Sequence, residues 1–334
     1  MSMQSASTRV ALATALLLAI GAGSSGAADK YKAPRTSWGD PVIQGFYNNN
    51  TDVPFERARE LGDKAFYTEQ EYAASKQPRP QPPPQRAGGS GGVPNAADVH
   101  YDTGEFGLDP DQSEMVKSLA TSIITQPANG RLPPLTREAQ QRSDAARAAG
   151  QARQYDSAQD RPLAERCVLW PHEGPPLRPV GYNSHVQITQ SPGYVVFETE
   201  MIHDARIIPI TDQRPDFGGL TRWQGNSWGH WQGDTLVIET TGINEASTPR
   251  GSNVGMGPDA KVVEKITRTG PKTILYEFSV TDPGLWDVSW GGQFPMELTE
   301  GPMFEYACHE GNYGIANTLR GAREEEKTKA RQGQ

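Results

Sequence analysis

From about position 181 to 314 the chain alternates apolar and polar residues in short runs: HVQITQ, YVVFETEMIHDARIIPI, TRWQGNSWGHW, TLVIETTGI, AKVVEKITRT, TILYEFSVTD, VSWGGQFPMELTE and MFEYACHE. A period of two marks strands with one buried face. The SPG, QGD, GPK and PGLW stretches between the runs supply the Gly, Pro and Asp of tight reversals. Six to eight such strands predict a mainly β, antiparallel up-and-down meander, closed into a barrel or stacked as a sandwich. Six of the seven Trp residues fall between Trp170 and Trp290, so the large aromatic surface belongs to this half.

The pattern before position 181 is different. Residues 29–75 read as an extended segment and a short helix, in which Thr68 and Glu71 have the spacing of a capping box. Residues 76–97 are a Pro- and then Gly-rich linker without the apolar periodicity of a packed element. Residues 98–180 predict coil, one strand around Thr121–Thr125, and an Ala- and Arg-rich surface helix capped by Thr136. Residues 315–334 read as a polar C-terminal tail.

Residues 1–28 form a segment of their own. Arg9 precedes the apolar run VALATALLLAIGAG, and small residues lead to Asp29, the layout of a secretory signal peptide cleaved near Ala28. The expected destination is the periplasm or the exterior. The chain carries 40 acidic against 32 basic residues. An acidic export product argues against nucleic acid and against anionic membrane surfaces as partners. No later run is long and apolar enough to span a bilayer. With two cysteines in an oxidising compartment, a Cys167–Cys308 disulfide is expected.

Chemistry centres on EMIHDARIIP. Continuing one strand from Val195 places Val195, Phe197, Thr199, Met201 and His203 on the apolar face, with Asp204 and Arg206 on the other. His203 is then the candidate general acid or base inside the sheet. In the final run, Phe304 and Tyr306 favour an inward Glu310 as its partner, with His309 and Asp204 as further candidates. Arg206 or Arg222 would steady an anionic or carbonyl group. Tyr182, His185, Trp223, Trp228 and Trp231 would build the substrate surface. Such a continuous strand would run about 50 Å, so a bulge or bend is required, and one residue of slip exchanges the faces.

HExxH and zinc-finger Cys/His spacings are absent from the sequence. No metal or cofactor is therefore expected, although His203, His309 and a carboxylate could in principle be brought together.

The motifs SWGDPVIQGFYNN, NGRLPPLTREAQ, EMIHDARIIP, GHWQGDTLVIE and EYACHEGNYG resemble a set of uncharacterised exported bacterial proteins. The resemblance covers most of the mature chain and implies one co-occurring module. In architecture the hairpin series also looks like the calycin, or lipocalin-like, barrels, which include ligand carriers as well as hydratases, cyclases and isomerases. The leading expectation is a cofactor-independent lyase, isomerase or hydrolase acting on a small cyclic or aromatic molecule. A non-catalytic small-molecule binder and an envelope structural protein are the alternatives.

Overall fold

The computed structural model describes residues 31–76, 115–170, 172–179, 183–247 and 256–333. The expected signal peptide, the 77–97 part of the linker and Tyr182 lie outside them.

Among the described residues, ten antiparallel strands form one sheet. In chain order they are β1 (Gly45–Asn48), β2 (Ile124–Gln126), β3 (His185–Ser191), β4 (Tyr194–Thr199), β5 (Ala205–Pro209), β6 (Asn226–Gln232), β7 (Thr235–Thr241), β8 (Lys261–Arg268), β9 (Thr273–Thr281) and β10 (Trp290–Thr299). Along the sheet they run β5-β4-β3-β1-β10-β9-β8-β7-β6, with β2 also paired to β10. The mainly β, antiparallel character expected from alternation is present, with β3 to β5 and β6 to β10 each running as consecutive hairpins.

Closure is not. The ladder ends at β5 and β6, and among the described residues these edges meet only through an isolated parallel bridge between Ile210 and Gly229. Thr211 N donates to Gly229 O at 2.8 Å there. A side chain at position 229 would crowd the Ile210 and Leu236 methyls, so glycine permits this approach. The sheet is strongly curled: Arg206, on the first strand of the order, pairs with Glu264 on the seventh.

The largest correction concerns β1. The slot expected for a final MFEYACHE strand is filled by the N-terminal GFYN segment, which lies between β3 and β10 with Asn48 opposite both His185 and Glu297. After β10 the chain leaves the sheet, and residues 300–313 are irregular. Pro302 has no N–H to give a ladder. A paired Gly291-Gly292 lets both β2 and β9 lie against β10, because a Cβ there would meet the Ile123 and Phe278 carbonyls.

One core fills the curl, built from Ile43, Tyr47, Val186, Phe197, Tyr276, Trp290, Phe294 and their neighbours. Phe278, Trp286 and Phe55 meet Trp290 edge-on, with ring centroids 5.7–6.1 Å apart. Three α-helices among the described residues sit outside the sheet. α1 (Glu69–Ser75) begins with the expected capping box, and α2 (Arg137–Arg153) is capped by Thr136 and buries only Ala139. The expected polar tail is instead α3 (Gly314–Gln332), an exposed helix with Arg323–Glu326 and Glu324–Lys327 pairs one turn apart. Among the described residues no helix is long and apolar enough to cross a membrane.

The expected disulfide forms between Cys167 and Cys308, which are 141 residues apart. With Met201, Ile202, Trp170 and Tyr306 it makes a second, small apolar cluster.

Candidate functional site

The antiparallel register gathers the starts of β3, β5, β6, β8 and β10 and the ends of β1, β4, β7 and β9 at one end of the sheet. His185, Glu200, Asp204, Arg206 and the Arg222–Ser227 segment all lie there.

The run read as one strand is a hairpin. β4 stops at Thr199, the chain makes a 3-10 turn at Met201–His203, and β5 returns antiparallel with Phe197 opposite Arg206. Ile202 and His203 both adopt left-handed backbone, with φ of 62° and 49°. The inner face of β4 is as expected, since Val195, Phe197 and Thr199 are buried. The turn then reverses the assignment on β5: Arg206 and Ile208 are buried, while Ala205 and Ile207 are exposed.

His203 therefore does not enter the interior. It is exposed, and its Nδ1 lies 3.2 Å from the Tyr306 carbonyl. Glu310 and His309 are also exposed, in the irregular segment after β10, so the expected His203–Glu310 pair is not assembled. Among the described residues no group of His, Cys, Asp and Glu has the makings of a metal site.

Arg206 is inward rather than outward. It makes a bidentate pair with Glu264, which also accepts from the Tyr276 hydroxyl at 2.6 Å. Leu177 N in turn donates to the Tyr276 oxygen at 2.8 Å. The 172–179 segment thus reaches down into the sheet, and its Leu177 joins the main core.

Four of the expected residues converge on one open cleft of about 770 Å³ at this end. Asp204 and Arg206 come from the β5 side, and Arg222 and Trp223 from the loop before β6. The loop is held by Arg222 N donating to Gly242 O and Asn244 N donating to Arg222 O. The Trp223 ring is 40% exposed and available for stacking. Trp228 and Trp231 do not join it. Trp228 lies under Phe217 and Arg214 on one face of β6, and Trp231 packs against the core on the other.

Burial raises the Asp204 carboxyl above its usual range, against a hydrogen bond from Ala205 N and the neighbouring His203. The Asp204 charge acts on a residue that the sequence pattern did not single out, Glu173. It is 3% exposed, and neither of its oxygens has a hydrogen-bond partner among the described residues. Burial pushes its carboxyl up to about 8, and the charge of Asp204 adds to the rise. Both effects favour the protonated acid over the carboxylate. Its neighbour His172 is held neutral, its imidazole lowered to about 3 by burial and by Arg178.

His185 was expected to contact substrate. Its Nδ1 lies 2.8 Å from Glu200 Oε2, and Asn183 Nδ2 donates to Glu200 Oε1 at 3.1 Å. Burial works to raise the Glu200 carboxyl, but the hydrogen bonds from His185 and Asn183 outweigh it and hold it below the usual range.

No family model, curated protein or solved structure matches this chain.

Proposed function

We propose that this protein is an exported acid/base enzyme that transforms a small organic molecule in the cleft between the start of β5 and the loop before β6. The observation that carries the reading is the convergence of Asp204, Arg222 and Trp223 from two distant segments on one concave surface. Asp204 is the proton-transferring group, and its raised pKa brings it closer to working pH. Arg222, whose guanidinium has no partner among the described residues, holds a carboxylate or developing oxyanion. Trp223 stacks on a cyclic or aromatic body. Protonated Glu173 keeps a second negative charge away from Asp204 and holds a proton in reserve. Proton removal beside a carbonyl leads to an elimination or an isomerisation, and activation of water leads to a hydrolysis. All three use only the chain's own groups.

The curl, with its edges bridged at Ile210 and Gly229, supports reading the sheet as a calycin-like barrel. A carrier of that type holds its ligand in the middle of the barrel. Here Arg206, Glu264, Tyr276 and Leu177 fill that space, which favours a site at the mouth. The disulfide supports the periplasm or the exterior as the working compartment.

The second reading is a binder without turnover. It is favoured by Asp204 already accepting a backbone hydrogen bond, as a carboxylate with a fixed structural role would. A thermal-shift screen of the full chain against carboxylated phenolics and other cyclic acids, followed by mass-spectrometric assay of each hit, separates the two. The enzyme reading expects consumption of a hit, a loss of roughly 10²–10⁴-fold in turnover in Asp204→Asn, and loss of the thermal shift in Arg222→Ala. Hits that bind and are never consumed overturn it in favour of the binder.

A further inference from the structure

The geometry points to a second ligand site, on the outer face of β6 and β7, for a small organic carboxylate with a flat apolar body. It is separate from the cleft and does not depend on the chemistry there.

Successive side chains of β6 turn to opposite faces. Ser227 faces inward, where its Oγ lies 2.8 Å from the Oγ1 of Thr240, on the same face as the core residues Leu236 and Ile238. Asn226 and Trp228 therefore face outward, with Asn226 opposite Thr241. Asn226 and Thr241 form one wall of a pocket of about 510 Å³, bounded otherwise by the segment from Arg214 to Thr221 and by Pro258. That volume is in the range of small-molecule sites. Ser227 lines the cleft instead, while Phe217 and Thr221 line both hollows, so their loop stands between the two.

Arg214 supplies the charge. Its Nη2 donates to Thr241 Oγ1 at 3.1 Å, which fixes the guanidinium against the pocket wall, and its Cζ lies 5.3 Å from the centre of the Trp228 ring. Among the described residues no carboxylate pairs with it. One N–H is taken by a neutral hydroxyl, and the remaining donors keep the planar fork that matches a carboxylate. The stacking and the hydroxyl contact hold the head in place before a ligand arrives. The nearby acid, Asp216, is engaged within the loop, its Oδ1 accepting from Gly218 N at 2.9 Å.

Phe217, Leu220 and Pro258 give the pocket its apolar surface. Leu220 is 62% exposed, so a flat hydrocarbon body laid there would remove apolar area from water. Asn226 is 3% exposed. Its Nδ2 donates to Leu220 O at 2.6 Å and anchors the loop, but its Oδ1 is buried without a partner among the described residues. The wall thus carries an acceptor that the chain leaves unanswered, which a ligand hydroxyl or a water entering the pocket would satisfy.

The test titrates the full chain with benzoate, and with benzamide as its uncharged counterpart. The indole N–H signal of Trp228, assigned with Trp228→Phe, reports the pocket. That of Trp223, assigned with Trp223→Phe, reports the cleft. The Trp228 signal is expected to shift saturably with benzoate and not with benzamide. Arg214→Gln is expected to weaken that response by about tenfold or more. In Arg222→Ala the Trp228 response is expected to persist, so the pocket and the cleft fail separately. A Trp228 signal that stays still, follows both probes equally, or falls silent in Arg222→Ala overturns the site. The probe comparison is made in the parent chain, so it decides the matter even if Arg214→Gln does not fold.

Discussion

Arg206 and Glu264 face each other across the interior of the curled sheet, Nη1 to Oε2 at 2.6 Å and Nη2 to Oε1 at 2.8 Å. Their side chains are 6% and 0% exposed. Burial works to lower the Arg206 pKa, but the charge and hydrogen bonds of Glu264 outweigh it. Such a pair contributes little net stability over an apolar replacement, but losing one member strands the other. Arg206→Met is expected to cost about 3–5 kcal/mol in chemical denaturation. Adding Glu264→Gln, which keeps an acceptor for Tyr276, is expected to restore part of that loss. An additive double variant would show that the two residues are not coupled.

His203 occupies left-handed backbone, where an L side chain is disfavoured by roughly 1–2 kcal/mol. The ring is exposed and its Nδ1 lies 3.2 Å from the Tyr306 carbonyl. His203→Gly and His203→Ala both remove that contact, so their difference reports the backbone alone. The glycine variant is expected to be the more stable by about 1 kcal/mol. The opposite order would mean that the turn is absent, and the inward placement of Arg206 would lose its basis.

That turn also marks where the sequence stopped being legible. Alternation identified the hairpins and the inner face of β4, because Val195, Phe197 and Thr199 obey the period of two. It failed over the next five residues because left-handed backbone is normally announced by Gly or Asn, and here it falls on Ile202 and His203. The apolar look of MFEYACHE had a similar cause: Cys308 and Tyr306 are apolar to cover the disulfide cluster and not to pair in the sheet. Asp204, Arg222 and Trp223 were found by residue type. Glu173 was not, because PHEGPP has no periodicity to say which side chain is buried.

Cys167 and Cys308 close a loop of 141 residues and secure the cluster on which Met201 and Ile202 pack. In the chain-entropy model a loop of this size is worth about 5 kcal/mol. Replacing both cysteines by serine is expected to lower the melting temperature and to raise amide exchange first in residues 200–204 and 300–313. Because Glu200 and Asp204 bound that turn, ligand shifts from the cleft should shrink as well. Uniform loosening of the whole sheet would instead place the effect of the disulfide in the unfolded chain alone.

The two buried ionisable neighbours give stability a maximum on the pH scale. Glu173 moves from 4.5 to about 8 on folding, so the folded chain binds more protons than the unfolded one between those values. Stability from that source is complete below about 4.5 and is lost as pH rises towards 8. His172 moves from 6.5 to about 3, which is the reverse case: its contribution is complete above 6.5 and is lost as pH falls towards 3. Between 4.5 and 6.5 the two slopes oppose each other. Above 6.5 Glu173 acts alone of the pair, and below 4.5 His172 does. Asp204, also raised, acts in the sense of Glu173, and Glu200, held low, acts in the sense of His172. Denaturation midpoints are therefore expected to peak near pH 5–6 and to fall towards pH 8. Glu173→Gln keeps the shape without the titrating proton, so it is expected to flatten the alkaline fall and to be more stable than the parent at pH 8 by roughly 1–4 kcal/mol. If the alkaline limb is unchanged in that variant, Glu173 is ionised in the folded chain and cannot hold a proton in reserve for Asp204.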